Sequence, residues 1–215
     1  MQKMGLLGCV GLLLLVGVIV LFTGVGGYNK LNVLSNNVDG KWANVQSSYQ
    51  RRNDLIPNLV STVQASANFE KSTLTDVINA RANATKVTID PSHAPTDPAQ
   101  LDAYQKAQSQ LGGSLSRLLV SVEKYPELSS VGGFRNLQAQ IEGTENRIND
   151  ARNQFNDAAV AYNTQHNSFP TVLYANMVGM KEKPPFKADE AAATAPRIGS
   201  GTFDAPATPA LTPAR

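Results

Sequence analysis

GGFRNLQAQIEGTENRINDARNQFNDAAVAYNTQHNSF, residues 132–169, places Phe134, Ile141, Ile148, Phe155, Tyr162 and Phe169 seven residues apart. Leu137, Thr144, Ala151 and Ala158 follow the first four of them by three. Steps of three and four fall on one face of a helix, and a kept seven-residue period holds that seam against a partner helix with left-handed supercoiling. The run opens at Gly132-Gly133 and stops at Pro170. Upstream, Leu101, Tyr104, Gln108, Leu111, Leu115, Leu118, Val122 and Tyr125 repeat the pattern and stop at Pro126. Leu31, Leu34, Val38, Trp42, Val45, Tyr49, Ile56, Leu59 and Val63 form a third stripe, with Arg52 at its missing position. Pro57 lies inside this stripe and predicts a kink near Asn53 to Ile56, or a break.

A shorter helix is expected from about Ser72 to Ala84, carrying Leu74, Val77, Ile78 and Ala80, with Ser72 or Thr73 able to cap it. Asp90 to Pro98 holds three prolines and two aspartates and reads as a loop. No β-branched run bounded by turns supplies a sheet. The fold expected is therefore all-α: an N-terminal transmembrane helix followed by an elongated antiparallel helical bundle. Its parts are an anchor over 1–29, a bundle over 30–186, and an Ala/Pro-rich tail over 187–215. That tail carries too little apolar surface to offset its ordering entropy and is expected to be disordered.

The anchor rests on the stretch between Lys3 and Lys30, which holds no charge and is almost wholly apolar or glycine from Gly5 to Val25. A run of that length suits a helix crossing a bilayer. A cleaved signal peptide and a lipoprotein signal using Cys9 are the weaker readings, the first because the apolar run exceeds a signal core. The short basic start favours the amino terminus inside and the bundle outside the cytoplasm. Cys9 is the one cysteine, so neither an intrachain disulfide nor a thiolate metal site is available. A formal charge of +2 with interspersed signs offers no nucleic-acid face.

Catalytic signals are thin. His93 sits in the Pro-rich loop and His166 near a helix end, without H-E-x-x-H or paired carboxylates at ligand spacing. Glu142 and Glu145 share a helix face but lack a second ligand set. Gly112-Gly113 lacks the strand-then-helix context of a phosphate loop and suits close helix approach or a local bend. No catalytic residue, metal or cofactor is expected. Arg52 falls on an apolar seam, where an unpaired charge is costly, so it is expected to pair with Glu145 or Glu142.

Gln50-Arg51-Arg52-Asn53-Asp54-Leu55-Ile56-Pro57-Asn58-Leu59-Val60 resembles the signature of the LemA family of bacterial membrane proteins. The likeness continues through Thr73-Leu74-Thr75-Asp76-Val77, Ala80-Arg81-Ala82, Leu115-Ser116-Arg117-Leu118-Leu119 and Glu123-Lys124-Tyr125-Pro126-Glu127-Leu128. Thr144-Glu145-Asn146-Arg147-Ile148, Ala151-Arg152, Phe155-Asn156, Tyr162-Asn163 and Phe169-Pro170 complete it. It spans about Gly27 to Phe186, with Pro184-Pro185-Phe186 at the usual closing Pro-x-Phe element. The resemblance implies a single-span anchor in the bacterial inner membrane, a helical bundle without established enzymatic activity, and a part in organising membranes. It also implies an association with membrane metalloproteases.

The expected function is thus a non-enzymatic scaffold that self-associates through its seams, or else an adaptor for an envelope enzyme. Candidate structural and interaction residues are Arg51, Arg52, Asp54, Pro57, Asn58, Glu145, Asn146, Arg147, Arg152, Asn156 and Asn163. The expected partners are the lipid bilayer, further copies of the chain, and a membrane metalloprotease or other envelope protein, with no nucleic acid.

Overall fold

The computed structural model describes the backbone of residues 2–65, 69–129 and 131–187, and side chains for Leu15 and, Ser129 apart, from Gly24 onward in those ranges. The helices are α1 (Gln2–Gln64), α2 (Lys71–Lys86), α3 (Pro98–Val122), α4 (Pro126–Ser129), α5 (Gly132–Asn167) and α6 (Thr171–Met177). Among the described residues there is no strand. The tail beyond Lys187 lies outside the described residues. So do the side chains of most of the apolar run on which the expected transmembrane helix rests. Among the described residues no helix is long and apolar enough to cross a membrane.

α1 is continuous over 63 residues, about 95 Å at 1.5 Å per residue. Of the kink or break expected at Pro57, the break does not occur, and α1 stays helical through it. Proline removes the donor that residue 57 would offer to the carbonyl of Asn53. Arg81 on α2 replaces it, its Nε donating to that same carbonyl at 3.1 Å. Arg81→Ala is therefore expected to cost about 1.5–3 kcal/mol, the range for a hydrogen bond from a charged donor. In a Pro57→Ala background the restored backbone N–H should remove most of that cost. A double-mutant cycle by urea denaturation reads the difference.

Direction follows from the cross-links. Trp42 Nε1 donates to Asp90 O, Gln46 Nε2 to Ile89 O, and Arg81 Nε to Asn53 O, so α2 runs down as α1 runs up. Tyr104 packs on Trp42 and Tyr49, and Gln108 meets Arg52, so α3 runs parallel to α1. Lys41 bonds Gln154 and Arg52 bonds Glu145, so α5 runs antiparallel to α1. The result is an up-down-up-down bundle.

Two apolar clusters fill it. The distal one joins Ile56 to Val63 of α1, Leu74 and Val77 of α2, Leu111 to Val122 of α3, and Phe134 and Ile141 of α5. The proximal one joins Leu31 to Tyr49, Leu101, Tyr104 and Ile148 to Tyr162, and completes itself with Ile89, Ala94, Ala175 and Phe186. α2 is too short to cover this half. The 87–97 loop, α6 and the last described segment take its place. The three seams thus face each other inside one chain.

Smaller corrections follow. Neither Ser72 nor Thr73 caps α2; Glu70 is the N-cap residue without a side-chain cap bond, and Ser72 Oγ donates to Glu70 Oε1 at 2.7 Å. Asp97 caps α3, accepting from Ala99 N at 2.9 Å with Pro98 following it. Phe169, the last member of the seven-residue repeat, lies beyond the end of α5 and is 81% exposed.

Candidate functional site

Two polar arrangements stand out. The first is a layer between the two apolar clusters. Arg52 is only 2% exposed. Its Nη1 donates to Glu145 Oε1 at 2.8 Å, and its Nη2 to Gln108 Oε1 at 2.6 Å and Gln108 O at 3.1 Å. Its guanidinium also lies 5.1 Å from the centre of the Tyr49 ring. α3 packs against the guanidinium at Gly112, where a Cβ would stand 3.6 Å from Nη1, an ordinary van der Waals contact. Arg52 thus pairs with one of the two carboxylates expected of it, and Glu142 bonds Gln138 on its own helix instead. Arg52 Nε and Asn53 Oδ1 are buried without a hydrogen-bond partner among the described residues. That raises the cost of the layer.

Burial pushes the nearby Tyr104 phenol well above its ordinary value near 10; Tyr49 adds to the rise, and Arg52 and Gln108 oppose it. Burial and the charge of Asp39 raise Tyr162 as well. Below pH 10 both phenols are neutral folded or unfolded, so they add no pH dependence. Above it the unfolded chain loses these protons first and binds fewer than the native state, so stability falls as pH rises. Urea melts between pH 8 and 11 are expected to show the loss beginning near pH 10, and Tyr104→Phe should blunt it.

The second arrangement is an extended strap, residues 180–187, laid antiparallel along α5. Asn163 Nδ2 donates to Lys183 O at 2.8 Å while its Oδ1 accepts from Lys183 N at 2.9 Å. Asn156 does the same for Phe186, at 3.2 and 2.8 Å. The spacing is matched: seven helical residues rise about 10.5 Å, and three extended residues cover about 10 Å. Gln105 of α3 clamps Lys187 in the same two-bond manner, and Arg152 Nη2 reaches Lys187 O at 3.1 Å. Tyr162 Oη donates to Lys181 O, and His166 Nε2 lies 3.0 Å from Met180 O.

Side chains lock the strap further. Phe186 enters the proximal core against Trp42 and Phe155, with Arg152 on its ring 5.0 Å away. Lys183 is buried, its Nζ 3.3 Å from both Asp39 Oδ1 and Ala94 O, and Asp39 Oδ1 also accepts from Ala94 N. One lysine therefore ties strap, loop and α1 together.

Of the residues singled out in the sequence, Arg52 and Glu145 meet in the layer, and Arg152, Asn156 and Asn163 meet on the strap. Pro57 leaves the carbonyl that Arg81 takes. Arg51, Asp54, Asn58, Asn146 and Arg147 are exposed, with Asp54 bonded to Gln50 one turn away. Gln105, Gln108, Asp39, Lys183 and His166 were missed as part of these arrangements. An open depression of about 370 Å³ between α2 and α3, lined by Thr73, Asp76, Ser114 and Arg117 among others, gathers a single carboxylate and a single guanidinium. Among the described residues no three His, Cys, Asp or Glu side chains converge as metal ligands. The hydrogen bonds of the layer and the clamp join separate segments of the same chain, an arrangement that holds those segments in place.

The sequence model of the LemA family matches residues 41–199. Magnetosome protein MamQ 2 of Paramagnetospirillum magneticum is 24% identical over 173 residues, covering 72% of this chain and 62% of that protein. Magnetosome protein MamQ of Magnetospirillum gryphiswaldense matches with the same identity and coverage. Protein LemA of Metamycoplasma hominis is 22% identical over 169 residues, covering 79% of this chain and 73% of that one. The chain thus spans 62% of the length of the magnetosome proteins it matches.

Proposed function

This chain belongs to the LemA family, and from that premise we propose that it is a membrane-anchored, non-enzymatic structural protein that organises a bacterial membrane or envelope. One observation carries the reading: the helix that holds the apolar run Gly5 to Val25 is the same unbroken helix, Gln2–Gln64, that supplies the central stripe of the bundle. An anchor of this kind transmits position and load to the bundle without a hinge. The polar layer and the clamp are directed inward, which suits a part built to keep its shape. Similarity to proteins named as magnetosome proteins is in keeping with it. The reading places the anchor in the inner membrane as a single span, with the bundle outside the cytoplasm.

Self-association belongs to this reading, through surfaces other than the seams. Light scattering during size exclusion tests it, on the detergent-solubilised full chain and on a chain starting at Tyr28. A defined multimer in the full chain supports the scaffold. A monomer in both sinks it and leaves the second reading, an adaptor or regulator of a membrane protease or other envelope enzyme. That reading is favoured by the seams being used up within one chain, and cross-linking in native membranes would look for its partner.

A further inference from the structure

We propose that α6 is a second membrane contact, its outer face seated in the headgroup layer of the bilayer that holds the anchor. The inference deepens the anchored reading and rests on it. α6 has two faces. Thr171 and Ala175, one turn apart, are buried against the bundle. Leu173 and Met177, at the same spacing, lie on the other side and are 57% and 86% exposed, and Phe169 just before the helix and Val178 just after it are exposed too. Large apolar side chains gathered on an exposed face mark an interaction surface.

The position of α6 names the occupant. The Tyr174 ring lies on α1 at Gly24 and Gly27, where the apolar run ends, so α6 sits at the level where a spanning helix would leave the bilayer. The approach is close: a Cβ on Gly27 would come within 3.0 Å of Tyr174 Cε2. Tyr174 and the exposed Tyr28 give that level the aromatic groups favoured at a membrane interface. No charged residue lies between His166 and Lys181, so no charge interrupts the run of exposed apolar side chains. Lys30 and Lys181 are exposed beside it, as is Glu182, whose carboxylate accepts a hydrogen bond from Asn167 Nδ2 at 2.6 Å. The strap clamp begins at Met180 and holds α6 in this place.

The test uses the full chain in vesicles of phosphatidylcholine and phosphatidylglycerol, with Cys9→Ala and a nitroxide on Leu173→Cys or Met177→Cys. Val120→Cys, exposed on α3 in the distal half, is the reference. Oxygen and a polar nickel chelate report depth by collision, and an alkaline carbonate wash of the same vesicles reports anchoring. The result expected is a several-fold shift toward oxygen over nickel at both α6 positions relative to Val120. That corresponds to a depth of about 5–10 Å in the interface. Labels as open to nickel as the reference, on protein that withstands carbonate, would overturn the seat and leave the anchor standing. Loss of protein to the wash with those labels open would overturn both. Shielding from both reagents with dipolar broadening between labels would mean that a second copy covers the face, and the lipid contact would be wrong.

Discussion

Phe186→Ala is expected to lower the stability of the full chain by about 3–5 kcal/mol, the usual cost of truncating a buried aromatic. For a domain of this size that is a fall of about 6–20 °C in Tm. Phe186 completes a part of the core that no helix covers, with ring centroids 6.2 Å from Trp42 and 5.4 Å from Phe155. Its loss also removes the ring under Arg152 and frees the strap end that Asn156 and Gln105 hold. Trp42 is the only tryptophan in the sequence, so its emission reports directly on this packing. Phe186→Ala should shift the emission to longer wavelength before global melting begins. Asn163→Ala removes two hydrogen bonds and no core volume, and is expected to cost about 1–3 kcal/mol. A Tm within about 2 °C of the parent for Phe186→Ala, with unshifted emission, would show that the strap does not occupy the core.

The second large effect concerns the buried layer. Glu145→Ala leaves the Arg52 guanidinium buried with Gln108 as its remaining hydrogen-bonding partner. Breaking a buried ion pair by removing one partner costs about 3–5 kcal/mol. The Glu145 side chain is 37% exposed, so water softens the loss and the lower end of that range is expected here. The triple replacement Arg52→Met, Gln108→Leu and Glu145→Leu tests what the layer is for. Exchanging a whole buried polar set for apolar side chains of like volume is neutral or stabilising in comparable cases. If the layer fixes register, the triple variant should melt no lower than the parent but lose the single alignment of α1, α3 and α5. Nuclear magnetic resonance spectra would then show doubled or broadened signals around Tyr49 and Tyr104. Equal destabilisation by the single and triple changes would mean that the layer contributes stability and no specificity.

Much of this fold was legible because its seams are periodic. Phe134, Ile141, Ile148, Phe155 and Tyr162 are all buried, and the stripes through Trp42 and Leu111 meet them as periodicity requires. The expected partner of Arg52 was found from a rule about buried charge. What was not legible depends on pairs far apart in the chain. Pro57 reads as a helix breaker until Arg81, on another helix, supplies the missing donor. Phe169 keeps the repeat in sequence and leaves the seam in space, because α5 ends at Asn167 and the period continues past the helix that gave it meaning.

The stretch from Pro170 to Phe186 reads in sequence as semi-apolar and able to cap the bundle, touch the membrane surface or bind a neighbour, but its course as a strap is not legible there. Residues 180–187 have no period of their own, and their register is written on α5 in the seven-residue separation of Asn156 and Asn163. Those two were singled out as polar residues of a helix face, which is where they begin but not where their amides point. Lys183 looks like a surface charge in sequence. Its burial follows from Asp39, 144 positions away, and from the carbonyl of Ala94.

Hydrogen exchange of the full chain in lipid nanodiscs tests the central claim most directly, followed amide by amide along α1. An anchor continuous with the bundle predicts protection that runs without a gap from the apolar run through Gly24, Gly26 and Gly27 into Leu31 and beyond. Rapid exchange throughout Gly5 to Val25, with protection starting only near Tyr28, would contradict both the span and its rigid connection to the bundle.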